Sequence, residues 1–252
     1  MRDDLGGHYD GTPTRVVSLV PSLTEAVAVT APKLLVGATD WCTHPADLDV
    51  ARVGGTKYPS LDAVYAARPD LVLANAEENR PEDVAAIRER GIAVWVTYPK
   101  DLPGAFVSLG RMFGALGVDR PGWLDDAVAV WSAPSPDTRR RAVIPVWRRP
   151  WIVLGSGTFA GDLLSRLGID NLYADAPDRY PRPALDEIIE RRPELVVLPD
   201  EPYLFTAEDG PEVFAPVPCA LVTGRHLTWY GPSLVEARSL LERELATPVT
   251  RP

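Results

Sequence analysis

The chain has 252 residues, 46% hydrophobic and 24% charged, which is enough to bury a sizeable core and ordinary for a globular protein in water. A formal charge of −9 argues against the basic footprint that nucleic acid or an anionic membrane surface requires. No stretch approaches the ~20 apolar residues of a membrane span, and 26 prolines predict short elements with abrupt ends.

In chain order, the first dozen residues are polar and acidic, and the apolar run at Val16–Val20 is too short for a secretion-signal core. As written, the chain is expected in the cytoplasm, or outside the membrane if a leader was trimmed. RVVSLVPSLTEAVAV then predicts a strand, a turn and a helix, with Pro21 to Thr24 capping ahead of Glu25. LLVGAT follows as a short strand. LDAVYAARPDLVLA predicts an amphipathic helix feeding a buried strand, and AVWVTY another strand. DLPGAFVSLGRMFGALG carries a helical stripe of Ala105, Leu109, Met112, Phe113 and Leu116. A second helix is expected over 119–131, with Pro121, Asp125 and Asp126 in its first turns and Pro134 and Pro136 closing it.

Beyond this point the pattern returns. PWIVLGSGTFAGDLLSRLGI reads as strand, turn and helix, NLYADA and PCALVT as strands, and LDEIIERRPELVVL as helix and strand. Leu61, Asp62, Arg68, Pro69, Leu71 and Val72 recur as Leu185, Asp186, Arg192, Pro193, Leu195 and Val196, an offset of 124 residues. That period is too long for a solenoid and predicts two related lobes. A helix leading into a buried strand is the pattern of an open α/β sheet. The lobes are expected over 15–118 and 142–247, joined by a helix within 119–136.

Open α/β sheets bind ligands beyond the carboxyl ends of their strands. The turns expected there hold Ser22; Asp40, Trp41, Cys42 and His44; Glu77; Trp147, Arg148 and Trp151; Phe159; Tyr180; and Arg225, Trp229 and Tyr230. Indole and phenol rings beside a few polar groups suit a large, partly planar ligand. Arg148 and Arg225 are candidate anion or amide contacts because guanidinium is a planar, permanently charged fork; Arg149 and the Arg139–Arg141 run read as solvated charges. His44 is a candidate metal ligand, set against the reading of a solvated loop residue, since metal sites gather several donors. There is no GxSxG turn, phosphate loop, HExxH or dinucleotide fingerprint. One enzyme alternative remains, a Cys42 nucleophile with His44 as base and Asp40 as orienter. A ligand-free regulatory module is the other alternative.

VVSLVPSLTEAV, LLVGATDW, RVGGTKYPSLDAVYAARPDLVLA, GIAVWVT, TFAGDLLSRLG and PALDEIIERRPELVVL together resemble the class III periplasmic substrate-binding proteins, the cobalamin and iron–siderophore receptors of ABC importers, from about Arg15 to about Leu245. DWCTHP, VWRRPW and HLTWYGPS look like a subgroup often found without a secretion signal. The resemblance implies two Rossmann-like lobes with mostly parallel sheets, one interlobe helix, and a ligand in the cleft between them: cobalamin first, then a ferric siderophore or haem. It implies a monomeric binding protein with no required cofactor. Trp41, His44 and Tyr180 match the family's cleft positions. Asp62 and Asp186 match its permease-docking acids, with aspartate where glutamate is usual.

Overall fold

The computed structural model describes residues 1–249. They form two compact units: 1–99 with 103–126 and 230–232, and 100–102 with 127–229 and the remainder of the chain.

The first unit is built on five parallel strands, β1 (Val16–Ser18), β2 (Leu35–Ala38), β3 (Ala51–Arg52), β4 (Leu71–Asn75) and β5 (Ala93–Thr97), in the order β3-β2-β1-β4-β5. Its strands are near-continuous apolar runs because a parallel sheet is covered on both faces. Val17, Leu19, Val72, Ala74 and Val96 meet Val64, Val84 and Ile87 from the helices α2 (Leu61–Ala66) and α3 (Pro81–Glu89). The helix α1 (Pro21–Thr30) begins at Pro21 itself, so the expected cap residues lie inside its first turn. In α4 (Leu102–Ala115) the predicted stripe is buried, Ala105, Leu109, Met112 and Phe113 completely. The predicted 119–131 helix is α5 (Gly122–Trp131), and the division between units falls within it, after Asp126.

Residues 1–14, outside the lobe limits expected from sequence, also belong to this unit. Asp3 is buried, and its carboxylate accepts from the Gly7 (2.6 Å) and Val96 (3.1 Å) amides; Asp4 accepts from the Tyr98 amide (2.7 Å) and Ser108 hydroxyl (2.6 Å). Two aspartates thus occupy amides along the edge strand β5.

The second unit contains β6 (Arg140–Val143), β7 (Pro145–Trp147), β8 (Ile152–Val153), α6 (Phe159–Arg166), β9 (Ile169–Asn171), α7 (Leu185–Glu190), β10 (Leu195–Pro199), β11 (Cys219–Val222), α8 (Gly224–Thr228) and α9 (Leu234–Ala246). Its parallel sheet runs β9-β6-β10-β11, the order of β2-β1-β4-β5 in the first unit. One expectation is corrected. PWIVL is not the leading sheet strand; β6 is, and β8 pairs antiparallel with β7 in a separate hairpin. Between β10 and β11 stands a single 3-10 turn, Pro211–Val213, where the first unit has α3 between β4 and β5.

The repeat extends to backbone detail. Arg68 and Arg192, equivalent residues, both have φ of 49°, a left-handed ending to α2 and α7. In each unit an arginine within or just before the neighbouring strand caps that ending. Arg15 donates to Ala67 O (2.6 Å) and Arg68 O (2.9 Å), and Arg141 to Arg192 O (2.6 Å) and Arg191 O (3.4 Å). The equivalent acids Asp70 and Glu194 accept from the backbone amides of those same arginines at 3.0 and 2.8 Å. Arg139 pairs with Asp170 and Arg140 donates to Leu245 O, so the Arg139–Arg141 run is structural and not merely solvated.

Candidate functional site

At the carboxyl ends of the first unit's strands, two loops are tied together. Arg52, at the end of β3, donates to the carbonyls of Thr39 (3.0 Å), Cys42 (2.9 Å) and Leu48 (3.1 Å), which shapes the loop after β2. The Thr39 and Thr56 hydroxyls lie 3.2 Å apart and join this loop to the one after β3. Trp41 and Tyr58, one on each loop, are 68% and 69% exposed, so both rings are open to a ligand. Tyr58 was not singled out from sequence; an aromatic shortly after the Gly54–Gly55 pair at a strand end was the available signal. The Arg80 guanidinium lies 4.8 Å from the Tyr58 ring centroid and is paired with Asp83 at 2.7 Å.

Beneath these loops is a buried polar cluster. The Asn75 amide donates to the Tyr230 phenol oxygen (2.7 Å), which also meets the Thr97 hydroxyl (2.8 Å). Asn75 Oδ1 accepts from the Glu77 and Glu78 amides, and Asn79 Oδ1 from the Asn75 amide. Burial, then the charge of Glu78, drives the Tyr230 pKa far above that of a free phenol. Tyr230 and Ser22, both expected as ligand contacts, are buried.

Cys42 is fully buried, with Sγ 3.0 Å from Thr24 Oγ1 and 3.1 Å from Thr39 Oγ1. Burial is the largest cause of its raised pKa. A buried thiol of raised pKa is the opposite of an activated nucleophile. His44 is half-buried, with Nδ1 3.1 Å from the Thr43 hydroxyl, and Asp40 is exposed. Among the described residues no group of three or more His, Cys, Asp or Glu side chains is placed to hold a metal ion. Cys42 and Cys219 are both free thiols.

In the second unit Trp147 is 42% exposed at the end of β7. Trp151 is partly buried; its ring stacks on Phe205 (6.2 Å, 1°) and meets Phe214 edge-on (5.3 Å). The Arg148 side chain is only 10% exposed and forms ion pairs with Asp209 and, at 2.6 Å, with Glu212. The guanidinium expected as an anion contact is thus paired with two carboxylates of its own unit. Phe159 and Trp229 are buried, and Tyr180 is exposed. Arg225 lies 3.4 Å from Glu236 and over the Trp229 ring at 5.8 Å. Glu201 has a raised pKa, from burial first and then from Asp200 beside it. A pocket of about 380 Å³ opens beside α7, lined by Tyr173, Asp175, Pro181, Glu187 and Arg191 among others. Asp62 and Asp186 are exposed in the first turns of α2 and α7, where a carboxylate suits the positive helix end. No helix among the described residues is long and apolar enough to cross a membrane.

No family model matches the chain. Among curated proteins, a vitamin B12-binding protein of Vibrio cholerae serotype O1 is 22% identical over 193 residues, covering 72% of this chain and 69% of that protein. One from Salmonella paratyphi A is 23% identical over 205 residues, covering 73% and 71%. Among solved structures, the periplasmic vitamin B12 binding protein of Vibrio cholerae superposes with a TM-score of 0.72 at 18% identity, over 93% of this chain and 97% of that one. A periplasmic heme-binding protein in complex with two hemes gives 0.74 at 23% identity, covering 94% and 98%. A Helicobacter pylori protein solved with nickel bound gives 0.80 at 15% identity, covering 97% and 87%. The chain has the fold of the class III periplasmic substrate-binding proteins, as its sequence motifs predict.

Proposed function

We propose that this protein is a substrate-binding component or carrier for a large metal-bearing small molecule, with cobalamin or another corrinoid first and haem or a ferric siderophore next. The observation that carries this reading is the placement of exposed rings. Trp41 and Tyr58 stand beyond carboxyl ends of the first unit's parallel strands, on loops held by partly buried bonds, and Trp147 ends the hairpin strand β7 in the other unit. Ligands of open α/β sheets bind at such ends. Relatives named as vitamin B12-binding, in sequence and in structure, support placing a corrinoid first, and one named as heme-binding supports haem after it.

His44 and Tyr180 are proposed as further ligand contacts, and Asp62 and Asp186 as contacts for an ABC-transporter permease. Thermal unfolding with cyanocobalamin, haemin and a ferric siderophore tests the reading. A ligand at a hundred times its dissociation constant stabilises by about 2.7 kcal/mol, a rise in Tm of about 5–10 °C for a chain this size. No shift with any of the three would end the proposal.

A further inference from the structure

A cavity of about 260 Å³ opens in the first unit between residues 7–9 and the start of β5, with Arg88 of α3 on its wall. It takes in residues 93–95, the amino half of that strand, whereas the site described above lies beyond the strands' carboxyl ends.

One lining residue holds a hydrogen-bond donor with nothing to receive it. Trp95 is 1% exposed, and its indole Nε1 is buried without a partner among the described residues. Other indoles of this chain are answered: Trp131 donates to Leu234 O and Trp123 to Thr30 Oγ1, both at 2.9 Å. A buried N–H left unpaired costs about 1–3 kcal/mol, and native interiors keep few of them.

Arg88 adds a cation to the same cavity. Its guanidinium donates to the Val94 carbonyl (3.1 Å) and lies 3.7 Å from the Asp3 carboxylate, with the side chain 46% exposed. That carboxylate is already met by the amides of Leu5 (3.0 Å), Gly7 (2.6 Å) and Val96 (3.1 Å). A guanidinium has five N–H groups in a planar fork, so Arg88 keeps donors for another acceptor. The other walls include the Tyr9 ring, Ala93 and Val94, and no carboxylate side chain lines the cavity. Burial, then the charges of Asp70 and Asp10, raises the Tyr9 pKa, so negative charge is disfavoured beside the phenol and Arg88 is where an anion is best held.

We propose that this cavity is a second binding site, for a small monocarboxylate with a flat apolar body, whose carboxylate takes the Trp95 indole N–H and the Arg88 guanidinium. The inference is independent of the binding function proposed above, because none of these residues belongs to that site.

The test titrates benzoate into the isotope-labelled full chain and follows the indole N–H resonances by NMR. The benzylammonium ion, with the same ring and the opposite charge, is the control. The resonance lost in Trp95→Phe is that of Trp95; should this variant fail to fold, the cross-peaks from the indole N–H to its own backbone assign it in the wild type. Benzoate should move the Trp95 resonance downfield and saturably, and benzylammonium should leave it in place. Arg88→Gln should weaken benzoate about tenfold, the loss of one charged hydrogen-bond partner, and Arg88→Lys, which keeps the charge without the fork, by less. The Tm of each variant without ligand separates lost binding from lost structure. A Trp95 resonance unmoved at saturating benzoate would overturn the site, since the donor is then held by water alone. So would an equal response to benzylammonium, or unchanged benzoate affinity in Arg88→Gln.

Discussion

Arg148 shows how a residue's chemistry can be visible in sequence while its use is not. Its planar charged fork was legible; the carboxylates that take it, Asp209 and Glu212, lie some sixty residues further on and are brought to it by the fold. Cys42 followed the same course. A thiol two residues from an imidazole suggests chemistry, but the loop turns the sulfur inward between Thr24 and Thr39. With burial raising its pKa, Cys42 should react with iodoacetamide at pH 8 far more slowly than a free thiol, by two orders of magnitude or more, and at the ordinary rate in denaturant. Mass spectrometry of the labelled peptide gives both rates; equal rates would show the thiol to be accessible in the folded protein.

The elements were read best where local pattern and buried environment agree. The helix-then-strand units at 61–73 and 185–197 carry apolar periodicity, a proline stop and a continuous apolar strand, and all three survive in the structure. The hairpin of β7 and β8 was missed because an apolar run such as PWIVL has the same pattern in a central strand and in a ribbon. What separates them is the partner. The arginines of β6 were misread for a related reason: a charged residue that caps another helix's carbonyls has no local signature. Gly155 tests a junction that also depends on distant partners. A Cβ there would stand 2.2 Å from Asp178 O and 2.8 Å from Pro181 Cδ. Gly155→Ala should cost about 1–3 kcal/mol in urea unfolding, while alanine at Gly122, which meets nothing within 4 Å, should be neutral or slightly stabilising.

For the molecule as a whole, the repeated halves were legible from six matching residues, and the shared sheet order β2-β1-β4-β5 and β9-β6-β10-β11 is their structural counterpart. The ligand was not legible to the same degree, because rings at strand ends specify flatness and size before identity. If an importer uses this protein, Asp62→Lys with Asp186→Lys should abolish permease binding in a pull-down while leaving the cyanocobalamin dissociation constant within about twofold, since surface charges act little on a distant apolar contact. Retained permease binding would exclude these two acids as the docking points.

The aspartates near the start of the chain act on the same scale. By occupying the amides of Val96 and Tyr98, Asp3 and Asp4 give the β5 margin a blunt border in place of a ladder that another strand could extend. Any leader or purification tag fused ahead of them has to leave both carboxylates seated, or the preparation acquires a sticky seam through which molecules can zip into aggregates.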